Sequence, residues 1–319
     1  MSLRLEAAEP APQGIRRIVY EQIDAGMQEL GDGRRNPHTA IHSARQRCKR
    51  IRAVLRLVRR DLGDQYRPEN VCFRDIARGL SDVRDAVAVI EALDKLQPPC
   101  IDKREAGLVR ATRRGLTARR RQDTDGEEAL RTHADDAIGG FRAARERVAA
   151  WPLSTQGFAL VSPGLRRTYA SGRDAFTEAC SEPSDVRFHE TRKRAKYLWY
   201  QMRVLHNVWP ETMRACQRSL HKLSNLLGDD HDLLVVRESL REQPDILRGA
   251  RNLECMIGLI DRRKCQLKAE ARLLGMRVFA ERPGEFRKRL ERYWQTWQVA
   301  TDAAAAHPQA APASTREVA

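Results

Sequence analysis

Apolar residues recur at three- and four-residue spacings along almost the whole chain, and period-two alternation is nearly absent. This pattern predicts helices near 13–30, 38–62, 69–96, 101–121, 127–150, 162–180, 186–208, 211–241, 245–278 and 284–299. Ala, Leu, Arg and Glu, all good helix formers, dominate these stretches. Breakers stand between them: Gly31-Asp32-Gly33, Asn36-Pro37, Pro98-Pro99, Trp151-Pro152, Glu182-Pro183 and Pro283-Gly284. Gln122 to Gly126 reads as a loop within a helical hairpin. Residues 301–319, Ala/Pro-rich and aperiodic, are expected to be disordered. The expected class is all-α, with one helical domain over 13–300.

An internal repeat organises that domain. At an offset of 147, His42 falls on His189, Arg45 on Arg192, Lys49 on Lys196, Arg56 on Arg203, Leu80 on Leu227 and Asp85 on Asp232. Val89, Glu91 and Leu93 likewise fall on Val236, Glu238 and Leu240. At an offset of 150, Gly14-Ile15-Arg16-Arg17 falls on Gly164-Leu165-Arg166-Arg167, so one loop differs by three residues. Two halves, about 13–150 and 160–280, therefore share one layout of about four helices each. Isolated helix pairs cannot bury their apolar stripes, so two four-helix bundles about a pseudo-twofold axis are expected.

The repeated residues carry charge. With about 100° per residue, His42, Arg45, Lys49, Arg52 and Arg56 fall within roughly 80° of arc on one helix. Between His42 and Arg60 there are eight Lys or Arg and no acid. Ala44, Cys48, Ile51, Leu55 and Val58 cover the opposite side. In the second copy, His189, Arg192, Lys193, Lys196 and Arg203 share a face, backed by Phe188, Ala195, Leu198, Met202 and Leu205. Like charges one turn apart repel by a few tenths of a kcal/mol per pair, so something must answer them. The answer is either acids on the next helix (Asp82, Asp85, Asp229, Asp230, Asp232) or a polyanion along the stripe. Asp85 and Asp232 read as ion-pair or capping partners rather than catalytic acids. A histidine near neutral pH is about half charged unless burial suppresses it, and a bound polyanion would favour the charged form.

Composition agrees with a polyanionic partner. The 319 residues hold 58 Lys and Arg against 43 Asp and Glu, a net charge of +15. No apolar run is long enough to span a membrane, and the first residues lack a signal-peptide core. Seven scattered cysteines without a Cys-x-x-Cys pair argue against disulfides or zinc and for a reducing cytosol. Cys48 and Cys72 read as core residues. His38 near His42 has no accompanying carboxylate motif, so no metal is expected. His133, His206, His221 and His307 read as surface or boundary residues, and Trp294 with Trp297 as a dock for the last helix. No Walker loop, Gly-x-Ser-x-Gly, nucleophile or metal triad is present, so neither enzyme activity nor a cofactor is expected.

The segments Ile41-His42-Ser43-Ala44-Arg45, Lys49-Arg50-Ile51-Arg52 and Leu55-Arg56 resemble the first signature of the conserved-histidine α-helical domain family, CHAD. The run His189-Glu190-Thr191-Arg192-Lys193-Arg194-Ala195-Lys196-Tyr197-Leu198 resembles its second. Gly164 to Tyr169 with Gly172-Arg173, and Leu227-Gly228 with Asp229 and Asp232, resemble the flanking helices. The resemblance spans roughly 13–278. It implies two four-helix bundles whose basic helices line a groove or pore binding inorganic polyphosphate, in proteins associated with polyphosphate granules. It also implies ligand contacts at His42, Arg45, Lys49, Arg52, Arg56, His189, Arg192, Lys193, Lys196 and Arg203. The second copy departs from the pattern: Trp199 stands opposite Arg52, and Tyr197 opposite Arg50. Relatives often add a triphosphate-tunnel β-barrel with Glu-x-Glu-x-Lys, which this sequence lacks. The expected function is thus non-catalytic polyphosphate binding. A nucleic-acid binder, an enzyme or regulator of phosphate metabolism, and an adaptor with internally paired stripes are the alternatives.

Overall fold

The computed structural model describes residues 3–80, 90–93, 96, 102–120, 127–247 and 249–306. Asp82, Asp85, the Pro98-Pro99 stop, the loop at Gln122 to Gly126 and the tail beyond 306 lie outside the described residues. Among those described there is no strand. The helices are α1 (Ala11–Gly31), α2 (Pro37–Leu57), α3 (Arg59–Leu62), α4 (Tyr66–Gly79), α5 (Lys103–Arg120) and α6 (Glu127–Val148), then α7 (Phe158–Ser181), α8 (Asp185–Val204), α9 (Pro210–Glu242), α10 (Ala250–Val278) and α11 (Pro283–Ala306). The chain is all-helical, as the periodicity predicts.

The two basic helices begin at built caps. The Asn36 side chain accepts from the amides of His38 and Thr39, with Pro37 preset for the first turn. Ser184 accepts from the Arg187 amide at the head of α8. Sequence reasoning ran α2 on to 62, but the helix breaks at Val58 and a separate short turn, α3, follows. That turn ends at Gly63, whose φ of 50° is a conformation glycine adopts without penalty. α7 starts at Phe158, earlier than the pattern suggests, so Pro163 lies inside it. The proline ring removes the amide that would bond the Ala159 carbonyl.

In the first half, α1 packs on α2, α2 on α4, α4 on α6 and α6 on α1, closing a ring. Arg147 of α6 ties it to the buried Glu69 of α4 at 2.7 Å, and Arg145 reaches Asp24 of α1 at 2.6 Å. In the second half α7, α8, α9 and α10 pack in series, and α11 lies on α7. Trp294 of α11 is buried there, 5.8 Å from the Phe158 ring and 5.1 Å from Trp297. That is the docking role expected of the tryptophan pair. α5 packs across on α10, where Arg262 meets Glu105 at 2.6 Å.

The apolar faces of the basic helices are all in the core. Ala44, Cys48, Ile51, Leu55 and Val58 are buried, as are Phe188, Ala195, Leu198, Met202 and Leu205. Cys72, by contrast, sits at the edge, where Arg147 Nη2 donates to its sulfur at 3.3 Å. His206, expected at the surface or a boundary, is buried beside Gln217.

The halves meet where α2 packs on α8 and on α7. Neighbouring pairs run from Arg50 with Arg203, through Ala53 with Gln201, to Arg56 with Tyr197 and Arg194. As numbers on α2 rise, those on α8 fall, so the two helices cross antiparallel. At the α7 contact a Cβ on Gly164 would lie 2.2 Å from the carbonyl oxygens of both Arg56 and Leu57. Only glycine permits that approach of backbone to backbone.

Candidate anion-binding face on α2 and α8

The first stripe is held from α4. Arg52 Nε donates to Asn70 Oδ1 at 3.1 Å, and Arg56 Nη1 donates to the same oxygen at 3.1 Å and to the Arg52 carbonyl at 2.8 Å. Arg45 Nη1 donates to the Leu80 carbonyl at 3.3 Å. Lys49 is half-buried between them. The Arg56 guanidinium lies 3.8 Å over the Tyr197 ring of α8, a cation–π contact across the junction. Burial lowers the Arg56 pKa, although a guanidinium stays charged throughout.

His42 is wired to α8. Arg50 donates to the Tyr200 hydroxyl, which donates in turn to Gln46 Oε1 at 2.9 Å. The amide nitrogen of Gln46 is then left facing His42 Nε2 at 3.0 Å, and the imidazole accepts. One amide thus fixes the ring on α2 through a phenol on α8.

The second stripe is anchored at its root. Asp185, in the first turn of α8, meets Lys268 at 2.6 Å, Lys264 at 3.2 Å and Arg237 at 3.3 Å. Lys264 is buried, and also meets Asp230 at 3.2 Å and its carbonyl at 3.0 Å. This network pins the head of α8 to α9 and α10. Burial acts to raise the Asp185 carboxyl, but Lys268 and Lys264 outweigh it and hold the group below its usual range. For Asp230, burial dominates and its pKa is raised. Asp230 is therefore committed to α10 and does not serve the stripe.

One turn into α8, the His189 ring lies 4.2 Å from that of His231 on α9. Burial first, then His231, Arg192 and Lys193, push His189 down to about 4. Burial is the condition under which the sequence reading withholds a half-charged imidazole, and it holds here: His189 is neutral near pH 7. His231 is lowered by the same burial and by Arg192, while Asp232 acts to raise it. Arg192 lies against Gly228, where a Cβ would come within 3.2 Å of Nε. Among the described residues, His189 Nδ1 and Arg192 Nε are buried without a hydrogen-bond partner.

Further along, Lys196 is half-buried, and its charge helps burial lower His221. His221 itself stacks on Trp199 at 4.6 Å. Arg203 lies 5.4 Å over Trp199 and is lowered by burial, then by Arg50. Lys193 is 44% exposed and paired to Glu190, which makes it the least integrated member of the set.

The structure thus brings the two predicted stripes to one junction. Sequence reasoning missed Asn70, Gln46 and His231. None is an identity in the repeat: Gln46 falls opposite Lys193, His231 opposite Arg84, and Asn70 opposite another amide, Gln217. Only the adjacent Asp85–Asp232 match hinted at that stretch.

The CHAD domain family model matches residues 18–241, more than half of the chain, and the chain belongs to that family. Its fold is similar to the CHAD domain from the plant Ricinus communis, with a TM-score of 0.63 at 17% identity, covering 89% of this chain and 96% of that one. It is also similar to PptA from Streptomyces chartreusis, with a TM-score of 0.53 at 16% identity, covering 86% of this chain and 100% of that one. No curated protein matches the chain in sequence. No helix among the described residues is long and apolar enough to cross a membrane.

Proposed function

We propose that this CHAD protein binds inorganic polyphosphate along the face shared by α2 and α8, as a non-catalytic module associated with polyphosphate granules. The supporting observation is how the arginines are held. Arg52 and Arg56 are fixed by the amide of Asn70, Arg56 also by Tyr197, and Arg203 lies over Trp199. Arg192 lies beside a glycine. Neutral partners orient a guanidinium without cancelling its charge. Burying such groups near one another costs stability, and a phosphate chain supplies both the missing charge and the acceptors. Arginine forks suit phosphate oxygens, and the aromatic rings here are already engaged by cations or histidine rather than presented to stack bases.

The test is a competition titration at near-physiological salt. Labelled long-chain polyphosphate is displaced by unlabelled polyphosphate, single-stranded DNA or RNA at matched charge. Polyphosphate should compete far better; equal competition would leave only the non-specific attraction of a +15 protein. Replacing Arg45, Lys49, Arg192 and Lys196 together by Ala should abolish binding while leaving helicity intact. Phosphate release on incubation with divalent metal would overturn the non-catalytic part.

A further inference from the structure

Beyond the C-terminus of α2, α3 and α7 border a pocket of about 360 Å³. Its lining is Arg59, Arg60, Pro163, Gly164, Arg166 and Arg167. Four arginines, all exposed to solvent, and no acidic residue line this small space. Among the described residues none of the four has an ion pair; Arg59 has only the Tyr66 ring, 4.6 Å away. The neighbouring acid, Asp61, meets the loop before α7, where its Oδ2 accepts from the Thr155 amide at 2.9 Å.

The first half shows what this arginine pair does when it is satisfied internally. Arg166 and Arg167 repeat Arg16 and Arg17. Arg17 Nε donates to Glu9 at 2.8 Å and Nη1 to Glu21 at 2.7 Å, while Arg16 Nη2 donates to the Trp151 carbonyl at 2.6 Å. At the same offset of 150, the second half has Ala159 in place of Glu9 and Ser171 in place of Glu21. Both carboxylates are gone while both arginines remain, and Arg59 and Arg60 are added beside them. Four like charges around one pocket favour the entry of an anion, even where water screens their mutual repulsion. Two glutamates would cancel only half of that charge, whereas a triphosphate end carries about four charges with oxygens on every side.

We propose that this pocket binds a terminal di- or triphosphate, supplied either by a free short condensed phosphate or by the end of a long chain. The inference stands apart from the α2/α8 face, because Pro163, Arg166 and Arg167 belong to α7 and take no part in that face.

Inorganic triphosphate is titrated into the full-length protein by calorimetry at near-physiological salt. Wild type should bind it one to one. R166Q/R167Q and R59Q/R60Q should each weaken binding at least tenfold, whereas R142Q/R272Q, at exposed positions outside both this pocket and the α2/α8 face, should leave it unchanged. Circular dichroism melts establish that each variant is folded; single substitutions replace any pair that is not. Long chains that compete in proportion to their ends identify the chain end as the source, and long chains that do not compete identify the free short phosphate; both outcomes support the site. The proposal is overturned if triphosphate does not bind, if the α7 and α3 variants bind it normally, or if hexaglutamate binds as tightly.

Discussion

Desolvation of His189 makes the proposed binding reaction pH-dependent in a calculable way. In the free protein the imidazole is held down to about 4 by burial, His231, Arg192 and Lys193, with Glu190 opposing. A polyphosphate chain against the same ring adds negative charge. If that restores the ordinary value of about 6.5, the complex takes up a proton between pH 6.5 and 4 that the free protein refuses. Binding should then tighten by about 30-fold from pH 7.5 to pH 5 through this one group. The measurement is a set of titrations across that range at constant ionic strength, with wild type and H189N. The internal phosphates of a long chain stay ionised throughout, and the rest of the protein is common to both, so the difference between the two profiles reports His189. Stability of the free protein should move oppositely. The depressed histidine favours the fold fully above pH 6.5, and that contribution fades as pH falls toward 4. Its size is at most roughly 3 kcal/mol, less what water screens at a ring that is only partly buried. Coincident wild-type and H189N binding profiles would refute the reasoning, because His189 would then not face the ligand.

Two further substitutions test the frame that holds the face. G164A puts a methyl carbon against the Arg56 and Leu57 carbonyls, so α7 must move off α2; denaturant unfolding should register a loss of about 3 kcal/mol, and a loss under about 1 kcal/mol would show that the crossing yields easily. K264M leaves Asp230 buried with only the more distant Lys268, at 3.7 Å, so it should cost about 3–5 kcal/mol by the same assay, and clearly more than K268M.

Much of this was legible from the chain alone, for a definite reason. The period of 3.6 fixes which side of a single helix is buried, and every residue assigned to the apolar sides of α2 and α8 is indeed in the core. The repeat then marked the opposite sides as a matched pair. What the period could not supply is anything decided between helices. Gln46 and Asn70 are ordinary polar positions until α8 and α4 place Tyr200 and two arginines against them. The protonation of His189 is likewise a property of its enclosure by α9, not of its spacing. Lys193 errs the other way: the wheel puts it with the stripe, while its exposure and its pairing with Glu190 put it at the margin.

The aromatic departures in the second copy change meaning for the same reason. Read along one helix, Tyr197 and Trp199 are positions where cations have been lost. Across the junction, Tyr197 is the surface on which Arg56 of the other half rests, and Trp199 lies between Arg203 and His221. A cation at position 197 would face Arg56 at contact distance and repel it; a ring there attracts it and spends none of its charge. The second helix carries as many Lys and Arg as the first, six each, but spaces them differently and adds the aromatic surfaces that hold arginines in place. Because the helices cross antiparallel, the C-terminal end of the first stripe depends on the middle of the second. Weakness in one copy and order in the other are therefore a single feature of the junction, and truncating Tyr197 should disorder an arginine that lies 141 positions earlier in the sequence.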